Sequence, residues 1–154
     1  MKPNKLWLII FVLALPLIAF ALQIGVILPQ NVVAFRGNQN VSVPIWLTNN
    51  DSVLAMEFQV NHSQYFIFRG VEATSRMSNA TVEWNVKDVN SDVVAVLIPN
   101  SIAAGNGVIM NLLFDVNSST PVGVYTVKMD DFLVVNLDDP VVELTLQDGL
   151  FTVI

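Results

Sequence analysis

Few residues in this 154-residue chain have side chains suited to chemistry, and most of them stand alone. His62 is the single histidine, and Ser63 follows it. That pair does acid–base or nucleophilic work only when the side chains converge beside an oxyanion site, which adjacency does not provide. Asp130-Asp131 and Asp138-Asp139 lack the alternating oxygen-ligand spacing of an EF-hand loop and read as solvated turns. No two carboxylates stand out as a glycosidase pair, which needs a separation of about 5–9.5 Å. Cysteine is absent, so disulfides, thiolate metal sites and a Cys nucleophile are excluded. One histidine also excludes a His-rich metal centre, and no metal or cofactor site is expected. Five N-x-S/T triplets begin at Asn40, Asn50, Asn61, Asn79 and Asn117. They are glycan acceptors only in a host that glycosylates exported proteins.

Charge narrows the partners further. The formal net charge is -6, and phosphate binding needs a basic stripe, so nucleic acid is excluded as a partner. The N-terminal segment is separate material. Lys2 and Lys5 precede an apolar run from Leu6 to Phe20, which ends in Ala19-Phe20-Ala21 before Leu22. That is the layout of a cleaved secretory signal peptide, with an uncleaved membrane anchor as the rival reading. Either way the domain over 22–154 is expected to be exported, secreted or held at the cell surface, and to touch a membrane only through an uncleaved 1–21. Removing Lys2 and Lys5 leaves five basic residues against thirteen acidic ones, a formal charge of -8.

From Leu22 onward the chain is a series of short β-rich runs punctuated by Gly, Pro, Asn, Asp and Ser, with no helical period. This predicts an all-β sandwich or barrel of one domain. Strands are expected at 22–28, 40–49, 54–61, 65–73, 81–86, 92–99, 105–116, 123–129 and 149–154. Pro44 cannot donate to a ladder, so its strand is expected at an edge or with that N–H side free. The run over 92–99 is apolar on both faces and should lie centrally under cover. In Gly105–Val116 the alternation slips by one residue between Ile109 and Leu112, which predicts a β-bulge introduced by a sharp turn at Gly107.

The order of these pieces resembles the cohesin family. The carrying motifs are V-x-V-P-I-x-L (Val41–Leu47), M-E-F-Q-V (Met56–Val60), G-x-I-x-x-L-x-F-x-V (Gly107–Val116), G-x-Y-x-V (Gly123–Val127) and G-L-F-T-V (Gly149–Val153). The resemblance runs from about Val26 to Ile154. It implies a nine-stranded jelly-roll β-sandwich and a non-catalytic module that captures a dockerin-like helical domain. Any calcium would belong to that partner and not to this chain. It also implies docking across the strands at 54–61, 81–86, 92–99 and 123–129. The outward residues there are Ala55, Glu57, Gln59, Glu83, Asn85, Thr126 and Lys128, with Glu57 at an acidic contact position of the family. Two departures mark a divergent member. His62-Ser63-Gln64 replaces a Tyr-Asp-Pro turn, and the loop before Gly149 lacks a Gly-Asn pair.

Two tryptophans complete the reading. Trp84 shares a side with Val82 and Val86 and is assigned to the core. Trp46 lies opposite four aliphatics that need the core, so it points outward; sugar stacking, a protein hot spot and cover by a loop remain open. The expected function is extracellular protein–protein recognition. The alternatives are a carbohydrate-binding module that takes polysaccharide, and a self-assembling surface subunit.

Overall fold

A computed structural model describes residues 21–78, 80–88, 91–136 and 142–154, with residues 91–100 described by their backbone alone. Asn79 and the Asp138-Asp139 pair lie outside the described residues. Eleven strands follow in chain order: β1 (Leu22–Ile27), β2 (Val32–Ala34), β3 (Val41–Asn49), β4 (Val53–Asn61), β5 (Phe66–Ala73), β6 (Thr81–Asp88), β7 (Ser91–Ile102), β8 (Gly105–Val116), β9 (Gly123–Val135), β10 (Val142–Gln147) and β11 (Gly149–Val153). A 3-10 turn (Ser75–Met77) joins β5 to β6. The strands form two sheets, ordered β10-β1-β3-β8-β5 and β2-β11-β9-β4-β7-β6, packed as the expected jelly-roll sandwich. Two short edge strands, β2 and β10, add to the nine read from the sequence.

The alternation seen in the sequence places the core. Val43, Ile45 and Leu47 on β3 and Met56, Phe58 and Val60 on β4 all turn inward and are buried. Rings fill the centre: Phe66 lies 4.6 Å from Phe151 and 6.3 Å from Phe114, centroid to centroid. Offset ring contacts of this kind add stabilisation beyond the area they bury.

The hitch in β8 is a bulge. Ile45 pairs with Met110 and Trp46 with Val108, so Ile109 is the extra residue, and both Ile109 and Met110 are fully buried. Gly107 does not turn the chain. It continues the strand opposite Leu47, at a φ of 154° that favours glycine. For Pro44 the second of the two expected arrangements holds. Its strand is internal, between β1 and β8, but the β1 ladder stops at Trp46, so Pro44 faces no ladder on that side. The run over 92–99 is internal too, between β4 and β6; the expected cover of its two faces concerns side chains that lie outside the described ones.

Asp130-Asp131 is not a turn. It is a bulge inside β9, where Gln59 pairs with Asp130 and Glu57 with Leu133, and Asp131 takes a φ of 50°. Trp84 is 41% exposed, not core. It sits on edge strand β6 and closes the gap between the sheets, edge-on to Phe68 at 5.1 Å, with its Nε1 against Gly70. The substituted turn after β4 is held by Ser63, whose carbonyl accepts from Phe66 N at 2.9 Å. His62 is buried there. Its Nδ1 lies 3.0 Å from the Ser63 carbonyl, which can only accept, and its ring meets Phe114 edge-on.

Candidate functional site

All seven residues expected at a partner surface lie on one face, the outer face of the β2-β11-β9-β4-β7-β6 sheet. Strand alternation explains this: burying Met56, Phe58 and Val60 turns Ala55, Glu57 and Gln59 outward, and burying Val127 and Met129 turns Thr126 and Lys128 outward. Glu83 and Asn85 are exposed on β6, opposite in sense to Trp84.

Their registers arrange them in rows. Glu57 pairs with Leu133 on one side and Ala95 on the other, and Ala95 pairs in turn with Glu83. The two carboxylates therefore occupy one row, two strand spacings or roughly 10 Å apart. Neither makes an ion pair among the described residues. The next row holds Val135, Ala55, Leu97 and Thr81.

A chain of hydrogen bonds crosses the same face. Lys128 Nζ reaches Asp130 Oδ1 at 2.8 Å, and Asn61 Nδ2 donates to Asp130 Oδ2 at 2.8 Å. Gln59 Nε2 donates to Asn61 Oδ1 at 2.8 Å, and Lys87 Nζ donates to Gln59 Oε1. The hydrogen bond from Lys128 to Asp130, and then their charge attraction, raise the lysine's pKa above its usual value. These contacts restrict side chains on three strands, so a partner would meet a partly ordered surface.

Asn61, Lys87 and Asp130, which complete this relay, and Leu133 and Val135 were not among the residues expected at the surface. The last two are 63% and 54% exposed. Asn61 and Lys87 carry a legible signal, since they continue the outward alternations 57-59-61 and 83-85-87. Leu133 and Val135 do not, because the bulge at Asp130-Asp131 reverses the parity of β9. Thr126 sits outside the relay, opposite Leu150.

Trp46 lies on the other sheet, 44% exposed on its outer face, as expected. It belongs to a separate surface. Among the described residues no cluster of His, Asp and Glu is placed to hold a metal ion, and no helix is long and apolar enough to cross a membrane.

Comparisons with known proteins agree with this architecture. The family model described as the Cohesin domain matches residues 29–153. No curated protein sequence matches the chain significantly. Among solved structures, the chain is similar to a non-cellulosomal cohesin from the hyperthermophilic archaeon Archaeoglobus fulgidus. The two share 16% identity and a TM-score of 0.71, over 86% of this chain and 91% of that one. It is similar also to a chain of a type I cohesin–dockerin complex from Clostridium thermocellum, with 18% identity and a TM-score of 0.73, over 86% and 99%. A third is the third ScaC cohesin of Acetivibrio cellulolyticus, solved with the ScaB dockerin, at 21% identity and a TM-score of 0.68, over 86% and 99%. With the family model covering most of its length, this chain belongs to the cohesin domain family.

Proposed function

We propose that the chain is an exported, non-catalytic recognition module whose six-stranded sheet docks a dockerin-like helical partner on its outer face. The observation that carries this reading is the juxtaposition of the ordered relay Lys87–Gln59–Asn61–Asp130–Lys128 with the exposed row of Leu133, Glu57 and Glu83. A preformed face of this kind loses little side-chain entropy on binding. The cohesin–dockerin complexes among its structural neighbours support the class of partner. Ala55, Glu57, Gln59, Glu83, Asn85, Thr126 and Lys128 are the proposed contacts, with Leu133 and Val135 as an apolar flank beside Glu57 and Ala55, and with two carboxylates, in no ion pair among the described residues, asking for basic residues opposite. Residues 1–21 direct export or anchor the chain, and 22–154 form the binding domain at or outside the cell surface. The calcium in such a complex sits on the partner.

The direct test is a calorimetric titration of the chain with dockerin domains of its source organism, with calcium and with chelator. Saturable one-to-one binding that disappears with chelator supports the reading, and no binding by any of them contradicts it.

A second reading, self-assembly, has one observation in its favour. Val33, Phe35, Val122, Val124 and Ile154 are all exposed around edge strand β2. Sedimentation that shifts with concentration, without a partner, would support it.

A further inference from the structure

The outer face of the five-stranded sheet, opposite the proposed docking face, carries a cleft of about 580 Å3. That lies within the ~300–1,000 Å3 typical of small-ligand sites. Its construction follows from the registers. One row across four strands reads Thr145, Gly25, Thr48 and Asn106. The neighbouring row places Glu143 beside Gln23, whose backbone N donates to Asn50 Oδ1 at 2.7 Å. On the other side, the row reads Gln147, Ile27, Trp46 and Val108.

Gly25 makes the hollow. It stands in the middle row without a side chain, between two threonines, with Gln23 and Glu143 in the row on one side and Ile27 and Trp46 in the row on the other. A Cβ there would meet nothing closer than Thr48 Cβ at 3.7 Å, an ordinary contact, so packing does not demand the glycine. Its φ is not in the left-handed range either. A larger residue would fit the strand and fill the cleft.

The lining selects a chemical class. Its surface is largely apolar, but amide and hydroxyl residues stand around it and supply both donors and acceptors, and Glu143 is the one carboxylate among the lining residues. With no cation, and with an acidic chain around it, the cleft disfavours phosphates and uronic acids. It is shallow and rimmed by polar side chains, and so offers no closed apolar slot for a lipid chain. Several polar atoms are already oriented: Thr48 Oγ1 donates to Asn106 Oδ1 at 3.0 Å, and Gln23 Nε2 donates to Glu143 Oε2 at 3.3 Å. Among the described residues these contacts leave the Asn106 amide NH2 and the second Glu143 oxygen available. Trp46 stands one row along on the same face, about 7 Å up the strand from Thr48, with its indole part-exposed. Polar groups in a shallow hollow beside an aromatic plate suit a ligand with hydroxyls at its rim and C–H groups on its faces.

We infer that this cleft is a binding site for a neutral oligosaccharide, with Trp46 stacking on one sugar ring and the Gly25 hollow holding the next. The ligand would be a segment of an environmental polysaccharide or of a cell-envelope glycan, and the chemistry is common to both. The site is independent of the docking face, because the two sheets present opposite outer surfaces.

The experiment is calorimetry on the full chain with neutral hexasaccharides of glucose, xylose and mannose, and in a second arm with glycan released from the source organism's envelope. Binding in either arm supports the inference and identifies the source. Trp46→Ala should weaken it about tenfold or more, and Gly25→Val should abolish it, with melting temperature and partner docking unchanged in both. Amide shifts on titration should be confined to the rows holding Gly25 and Trp46. The inference is overturned if no glycan in either arm binds, if binding survives Gly25→Val, or if the shifts map to the opposite sheet.

Discussion

At the scale of single residues, Arg76 ties three segments of the sandwich together with one side chain. Its guanidinium donates to Leu47 O at 2.7 Å, Gly107 O at 3.2 Å, Ala103 O at 3.3 Å and Asn49 Oδ1 at 2.6 Å. All four acceptors are neutral, and burial lowers the arginine's pKa. The planar fork thus links β3, β8 and the loop between β7 and β8 at one end of the sandwich. Gly105 is exposed to the same constraint, since a Cβ there would approach Arg76 Nη2 to 3.3 Å. Arg76→Met strands these acceptors and should cost about 2–4 kcal/mol, measured by urea unfolding. Arg76→Lys should recover only part of it, because an ammonium cannot span the fork. Asp115 supplies a pH signature. The Asn40 backbone N–H donates to it at 2.8 Å, and Arg69 adds a hydrogen bond and an ion pair; together they outweigh burial and hold its pKa below the usual Asp value. A depressed carboxylate stabilises fully above its unfolded pKa, near ~3.9, and loses that contribution as pH falls through the folded value. Asp115→Asn should therefore be less stable than wild type at pH 7, with the gap closing below about pH 4 in melts run across that range. A gap independent of pH would contradict the assignment.

At the scale of elements, bulges decide which residues face out. The one in β8 was legible because Ile109, Leu112 and Phe114 are apolar and their misfit spacing shows directly in the sequence. The one in β9 was not. Two adjacent aspartates look like a turn, and nothing local reveals that β4 keeps pairing with the chain as far as Val135. Strands β2 and β10 were also invisible, the first because three residues give no periodicity. In β10, exposure at an edge leaves Leu144 and Leu146 among polar neighbours. Trp84 was misplaced for a related reason: alternation identifies the inward side of an edge strand but not whether anything covers it. Removing Asp131 should take the extra residue out of β9 and leave a regular strand in which Phe132 and Val134 still face inward and Leu133 and Val135 outward. The expected result is retained partner binding by calorimetry, and binding lost on this deletion would contradict the placement of the bulge. At the junction into β11, Gly149 is fixed by contact. A Cβ there would come within 2.9 Å of Leu28 Cβ and 3.2 Å of Pro29 O. Gly149→Ala should destabilise by about 1–3 kcal/mol, the usual cost of overpacking.

At the scale of the whole molecule, the sandwich presents two outer faces of different character, and sequence reasoning singles out one of them as the proposed docking face. The docking face was legible because outward residues on β4, β6 and β9 follow from simple alternation. The cleft around Gly25 was not, because it depends on β10 pairing in parallel with β1, an arrangement between residues about 120 positions apart. The acidic charge of the chain acts on both faces. It favours basic partners on one and neutral ligands on the other, so docking affinity should fall as salt rises while glycan binding stays level. The measurement that tests the central claim most directly is titration of wild type and Glu57→Arg with the same calcium-loaded dockerin. Tight binding by wild type and a loss of about tenfold or more in the variant, with unchanged melting temperature, is the predicted result. Equal affinity in the two proteins would contradict docking on this face.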